Sequence, residues 1–291
     1  MTEQKVVPPS RVRPNRRPAI VRAVTVAPHG LWCALFILAP LVFVVYYTFT
    51  DVDGAFTMAN LGEVFSPVYL AVLKRSVLLA LESTAICLLL AYPLALAITK
   101  MKPRNQSLVI LLLMLPMWIN LLIRTYSLKL LLETNGPLNG FLGLFGISPI
   151  TFLNSEFAIV LGMVYNYLPY MILPIYSVMA KIDPRLKEAA ADLGCNGFQT
   201  IFRVVLPLSV SGIISGITMV FVPSISTFFI SKSLSDGRIR LIGDVIEQHI
   251  SAHNVASYEI GSALSFVLMI LIIVSMLITN RFGDSDEGVV L

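Results

Sequence analysis

The sequence predicts an all-α integral membrane protein of six transmembrane helices, N-in/C-in. Three observations predict it. Of 291 residues, 56% are hydrophobic and only 13% charged, about half the charge of a soluble domain. Mean hydropathy is correspondingly high at +0.82. Six apolar runs approach the ~20 residues needed to cross the hydrocarbon core of a bilayer. Finally, 14 of the 21 lysines and arginines fall on one side of those runs and 7 on the other. That two-to-one bias puts both termini in the cytoplasm.

Residues 1–30 form a basic arm. Lys5, Arg11, Arg13, Arg16, Arg17 and Arg22 alternate with Pro8, Pro9, Pro14 and Pro18. Such a segment cannot bury enough apolar surface to fold, so it is read as disordered and attracted to anionic lipid. A plain orientation signal is an equally open reading. The first run, Leu31 to Phe49, is too long for a signal-peptide core and is read as a retained span. The second is Val77 to Ile98, with Glu82 inside it. The third runs from Leu108 to Ile123 and is interrupted by Arg124. The fourth, fifth and sixth are Ala158 to Met179, Leu208 to Ile230 and Ile260 to Ile278. Each must be helical, because unpaired backbone in lipid costs several kcal/mol per group. The six-span domain is thus 31–280, with a cytoplasmic loop at 181–207 and a short acidic cytoplasmic tail at 281–291.

Prolines punctuate the spans at Pro40, Pro93, Pro116, Pro169, Pro174 and Pro223. Each removes a backbone donor and tends to kink a helix, and transport paths use such breaks. Pro169 and Pro174, with Tyr165, Asn166, Tyr167 and Tyr170 beside them, mark the fourth span as the stronger case.

Several function classes are excluded. The net charge of +4 sits in short loops, not in a basic stripe interleaved with aromatics, so nucleic acid is not a partner. Cys33, Cys87 and Cys195 form no CxxC pair and read as small apolar fillers. His249 and His253 are four apart, but Ile250 stands where a zinc protease needs glutamate. No phosphate loop of the form GxxxxGK[ST] occurs. No serine, cysteine or carboxylate pair is poised for catalysis. Catalytic and metal-binding residues are therefore expected to be absent, and the chain is expected to bind no cofactor of its own.

The loop at 181–207 is the informative stretch. Asp183 suits an N-cap and Pro184 the first helical position. Arg185 to Leu193 propagates as a helix, and Gly194 is a natural stop. Asn196 caps a second helix that passes Phe198, Ile201 and Val205 towards Pro207. On the first helix Leu186, Ala189, Ala190 and Leu193 share a shallow apolar face, flanked by Lys187, Glu188 and Asp192. Physics alone leaves two readings open: insertion into a partner's groove, or a surface helix on lipid headgroups.

The order Glu188-Ala189-Ala190, three residues, Gly194, nine residues, Val204, one residue, Leu206-Pro207 resembles the EAA loop of ABC importer permeases. Val204 stands where that pattern has isoleucine. The resemblance extends to Leu88-Leu89-Leu90-Ala91-Tyr92-Pro93, to Leu115-Pro116-Met117-Trp118-Ile119-Asn120 with Leu122-Ile123-Arg124-Thr125-Tyr126, and to Leu241-Ile242-Gly243-Asp244-Val245-Ile246. These look like the B-type permeases of spermidine/putrescine systems, over most of Leu31 to Ile278. Glu82 departs from that pattern, so no role carries over to it.

The resemblance implies a type I ABC importer permease in a bacterial cytoplasmic (inner) membrane. Its expected partners are a second homologous permease, two ATPase subunits that bind ATP and Mg, an extracytoplasmic substrate-binding protein, polyamine cargo and membrane lipid. Leu186, Glu188, Ala189, Ala190, Asp192, Leu193 and Gly194 would form the coupling helix that docks on the ATPase. Gly194 would allow the sharp turn between the two short helices, where a bulkier residue would clash. The chain itself would not be an enzyme.

A polyamine site needs carboxylates and aromatic faces. Glu82 is read as the only acid within a span and so as a candidate facing the bundle interior; pairing with Arg75 near the outer end is the alternative. Tyr92, Trp118, Tyr126, Tyr165 and Tyr167 are candidates to line a path, or belong to interfacial belts. Asp236, Asp244 and Glu247, before the last span, either guide a cation or contact a delivery protein, or sit in a solvated loop. Other readings are an ABC permease for another small organic cation or solute, and an ion-coupled secondary transporter. Neither a secondary transporter nor an intramembrane enzyme predicts the pattern from Glu188 to Pro207.

Overall fold

A computed structural model of the chain describes residues 26–252 and 255–283. The arm from Lys5 to Arg22, His253 and the tail beyond Gly283 lie outside the described residues. The chain divides into two compact units, Met1–Tyr46 and Tyr47–Leu291. In the first, the described residues form one apolar helix, α1 (Val26–Thr48), which runs just past the division. A π-type turn, Ala34–Leu38, interrupts it, and most of its side chains are exposed.

The second unit is helical, and its only described extended pairing is one bridge between Thr50 and Phe56. The elements run α2 (Ala59–Val64), α3 (Pro67–Thr99), α4 (Pro103–Trp118), α5 (Leu121–Leu132), α6 (Pro137–Gly143), α7 (Glu156–Met179) and α8 (Pro184–Asp192). They continue with α9 (Gly197–Leu208), α10 (Val210–Ser226), α11 (Phe229–Ser235), α12 (Ile242–Ser251) and α13 (Val255–Gly283). The starts follow local chemistry. Proline occupies the first turn of α3, α4, α6 and α8, where a missing N–H costs nothing. Ser155 caps α7 by accepting from Ala158 N at 3.1 Å.

Among the described residues four helices are long and apolar enough to cross a membrane (α1, α3, α7, α13), and two bent pairs bring the number to six where each pair is one span. α3 has 33 residues, so at 1.5 Å per residue it is about 50 Å long and outreaches the hydrocarbon core. The third span bends by 93° between α4 and the α5–α6 segment. Pro116 withdraws a donor one turn earlier, Ile119 and Asn120 turn extended, and the Asn120 side chain recaps the chain by accepting from Leu122 N at 2.8 Å. The fifth span bends by 68° at Ser209 between α9 and α10. It ends at Ser226, one turn after Pro223; Thr227 is extended, and α11 starts afresh.

Two expectations are corrected. The fourth span, with Pro169 and Pro174, is continuous. The bends fall instead after Pro116, where Asn120 recaps the chain, and at Ser209. The sixth helix starts earlier than Ile260 and takes in Glu259, so Glu82 is not the only acid within a span. Glu259 is almost fully buried.

α7 is the centre of the fold, packed against α3, α10 and α11. Met163, Met171, Ile172, Ile175 and Met179 are buried along it. Small residues of α10 let the backbones approach: a Cβ added at Gly212 would meet Pro174 O at 2.9 Å. This is how membrane helices associate without a hydrophobic driving force between them. A second cluster, with Phe221, Ile225, Ile242, Val245 and Leu264, joins α10, α12 and α13.

Candidate functional site

The candidate residues fall on the loop at 181–207 and on several of the helices.

In the loop, Asp183 caps α8 by accepting from Arg185 N at 2.9 Å. At the other end Gly194 N donates to Ala191 O at 2.9 Å and Cys195 N to Ala190 O at 3.0 Å, with Gly194 left-handed at φ 82. These overlapping bonds satisfy the last carbonyls of α8 and turn the chain. A reciprocal capping box then starts α9: Asn196 accepts from Gln199 N at 2.8 Å, and the Gln199 side chain accepts from Asn196 N at 3.0 Å.

The expected single apolar face divides in two. Ala190 is buried, whereas Leu186, Glu188, Ala189 and Asp192 are exposed. Leu193 lies beyond the helix and is 86% exposed. Phe198, also exposed, packs at a tilt against Phe202 with ring centroids 4.5 Å apart. Ala190 is thus the buried residue of α8, and Leu186, Leu193 and Phe198 are exposed apolar side chains on the same short loop as Glu188 and Asp192. The expected clash at Gly194 is corrected: a Cβ there has no atom within 4 Å. Only the positive φ, which strains L side chains, restricts the position.

α9 then carries a π-type turn, Ile201–Val205, a feature that recurs at functional bends. At its end Ser209 donates to Leu206 O at 3.1 Å, and the Tyr92 hydroxyl of α3 lies 3.4 Å from Ser209 Oγ.

The remaining path candidates are not gathered in one place. Trp118 closes α4 beside the break and is 77% exposed; Tyr126 on α5 and Tyr165 on α7 are exposed too. Tyr167 is buried, its hydroxyl donating to Pro223 O at 3.5 Å. Glu82 lines a cleft of about 250 Å³ with Lys74, Arg75 and Glu156. Arg75 pairs with Glu156 at 3.2 Å, not with Glu82 as the alternative reading had it. Asp244 is not in a solvated loop. It lies in the first turn of α12, where Oδ2 accepts from Ser231 Oγ at 2.6 Å and from Leu241 N at 2.8 Å. Burial pushes its carboxyl above the ordinary 3.8, against those two hydrogen bonds. Asp236 and Glu247 pair with Lys129 and Lys232 at 2.6 and 3.3 Å.

Sequence reasoning assigned no role to two polar residues at the break. Arg124 of α5 and Asn166 of α7 are both buried. Asn166 Nδ2 donates to Gly162 O at 2.9 Å and to Thr125 Oγ1 at 3.4 Å. The signal was present, since a charge and an amide each interrupt an apolar run.

Comparisons with known proteins agree with this geometry. Residues 105–284 match the family described as binding-protein-dependent transport system inner membrane component. The spermidine/putrescine transport system permease protein PotB of Haemophilus influenzae is 38% identical over 266 residues, covering 89% of this chain and 92% of its own. The protein of that name in Escherichia coli is 36% identical over 258 residues, covering 86% and 93%. Among solved structures, a bacterial ABC transporter involved in import of the acidic polysaccharide alginate has a chain that aligns with TM-score 0.74 at 18% identity, over 93% of this chain and 97% of that one. A bacterial alginate transporter in complex with an alginate pentasaccharide-bound periplasmic protein aligns with TM-score 0.74 at 17% identity, over 91% and 94%. The likeness to these two is one of fold.

Proposed function

The chain belongs to the binding-protein-dependent transport system inner membrane components, multi-pass permease subunits of ABC importers, and from that premise we propose that it is one half of a polyamine importer pore. The observation that carries the cargo assignment is the 38% identity to a spermidine/putrescine permease over 89% of the chain. The chain is a non-catalytic subunit, and ATP with Mg is bound by a partner ATPase. A second, homologous permease completes the pore, two ATPase subunits drive it, and an extracytoplasmic binding protein delivers the cargo. The periplasmic protein seated on a transporter of the same fold supports that last partner.

The loop's geometry supports the coupling role. Leu186, Leu193 and Phe198 fill a groove on the ATPase, while Glu188 and Asp192 rim the contact. Ala190 and the Gly194 turn hold α8 at a fixed angle to α9, so a push on α8 passes through the π-type turn to α10. Exposed aromatics beside the broken spans, Trp118, Tyr126 and Tyr165, offer π faces to a passing ammonium group. Tyr92 and Tyr167 are further candidates on α3 and α7, and Glu82 offers a carboxylate towards the outer end of α3.

The test is uptake of labelled spermidine and putrescine by vesicles carrying the assembled complex, with and without binding protein and ATP. Uptake that requires both is expected. Transport of a different solute, with no polyamine moved, would keep the family and remove the cargo.

A further inference from the structure

Two unmatched polar groups lie on adjoining elements where the broken third span meets the fourth. Arg124 is only 6% exposed, and its Nε and Nη1 are sealed from solvent with no hydrogen-bond partner. The ion pairs among the described residues do not include it. Asn166 is fully buried, and while its Nδ2 has two acceptors, its Oδ1 has no donor. Asn166 touches Thr125, the residue next to Arg124, at 3.4 Å. Unmatched donors on α5 and an unmatched acceptor on α7 thus meet in one neighbourhood, and their chemistry is complementary.

A buried charge without a partner is among the costliest features a fold carries. It persists where the arrangement is one of two and the other provides what is missing. α5 is suited to two positions. It follows a 93° bend, and its opposite face, with Leu122, Ile123 and Tyr126, is exposed. A bistable element that both ends of a machine bias is the physical basis of a switch.

We infer that Arg124 and Asn166 are positioning residues of the transport cycle, unpaired in the conformation seen here and paired, guanidinium to amide Oδ1, in the alternate one. Pairing holds the α5 half of the third span against the fourth. The inference rests on the importer reading, because only a chain that alternates has a second state to hold.

The test compares Asn166→Asp, Arg124→Gln and the double variant in the importer assembled with its partner permease, ATPase subunits and binding protein. Spermidine uptake is measured per assembled complex. Asn166→Asp sets a carboxylate opposite the guanidinium, overstabilises the paired state and slows uptake roughly tenfold. Adding Arg124→Gln removes that brake, so the double variant matches Arg124→Gln alone. Additive losses overturn the inference, as does native uptake in both single variants. A role in folding alone also overturns it, and lowers the yield of complex while leaving uptake per complex unchanged. Should Arg124→Gln fail to assemble, Arg124→Met, which is also uncharged and of similar length, carries the same comparison. The native complex reports separately on the importer reading: if it moves no solute in a manner that needs binding protein and ATP, that reading fails, and if it does while the variants are additive, only the pair fails.

Discussion

The Tyr92 hydroxyl stands 3.4 Å from the Ser209 hydroxyl, which ties the second span to the bend where the coupling segment becomes the fifth. Ser209 also bonds back to Leu206 O at 3.1 Å, so the contact fixes the bend itself. Tyr92→Phe keeps the packing of the ring and removes only the bond. A hydrogen bond of this kind contributes ~0.5–1.5 kcal/mol, so uptake is expected to fall severalfold with assembly intact. Measuring ATP hydrolysis alongside uptake decides the mechanism: a lower ratio of cargo moved to ATP consumed is expected. An unchanged ratio would show that the bond does not transmit movement.

Gly194 gives a graded prediction. Its φ is 82 and nothing lies within 4 Å of an added Cβ, so the cost of substitution is conformational, not steric. A β-branched residue there costs ~1–2 kcal/mol, while asparagine tolerates the left-handed region. Gly194→Asn is expected to retain ATPase co-purification and Gly194→Val to weaken it. Equal loss in both would mean that bulk, and hence contact with the partner, decides.

Gly243 behaves in the opposite way. An added Cβ would lie 2.6 Å from Ser226 O and 2.7 Å from Thr227 O. Both are backbone atoms at the end of α10, and neither can yield without moving the break. Gly243→Ala is expected to destabilise the protein by about 1–3 kcal/mol through overpacking and to lower its melting temperature in detergent. A melting temperature like that of the native chain would show that α12 shifts freely.

Asp244 separates charge from hydrogen bonding. Asp244→Asn keeps an acceptor for Ser231 Oγ and Leu241 N, both now bonded to Oδ2, and removes a charge whose burial raises its pKa. It is expected to match or exceed the native melting temperature at neutral pH. Asp244→Ala strips both donors of their acceptor and is expected to cost about 1–3 kcal/mol. If Asp244→Asn proves as damaging as Asp244→Ala, the carboxylate acts through its charge, and the path role regains ground.

The legible and illegible parts of this protein divide along physical lines. The loop from Asp183 to Pro207 was readable nearly residue by residue, because caps, a first-turn proline and a left-handed glycine act locally. Span existence was readable from apolar length. The places where spans break were not. Pro169 and Pro174 sit in a continuous α7, where packing on three neighbours supports the helix, while Pro116 precedes a real break because Asn120 follows to recap the chain. Pairings were hidden for the same reason. Arg75 meets Glu156 rather than Glu82, and Asp244 folds inward onto Ser231, through contacts that no sequence period encodes.

His249 supplies a pH dependence of determinate sign. Its Nε2 lies 3.0 Å from the Tyr69 hydroxyl of α3, in a cleft with Arg240 and Gln248, and burial lowers its pKa below the ordinary 6.5 while the Glu63 charge opposes this. The folded chain therefore binds a proton here less tightly than the unfolded one. By linkage, stability from this group is complete above 6.5 and is lost as pH falls through the lowered folded value. The cost of charging the ring in this partly buried place weakens the packing of α12 on α3 as pH falls. Melting temperatures taken at about pH 7.5 and about pH 5.5 are expected to drop for the native chain and to drop less for His249→Gln. An equal drop in both would assign the acid sensitivity to other groups and leave the Tyr69 contact a matter of packing.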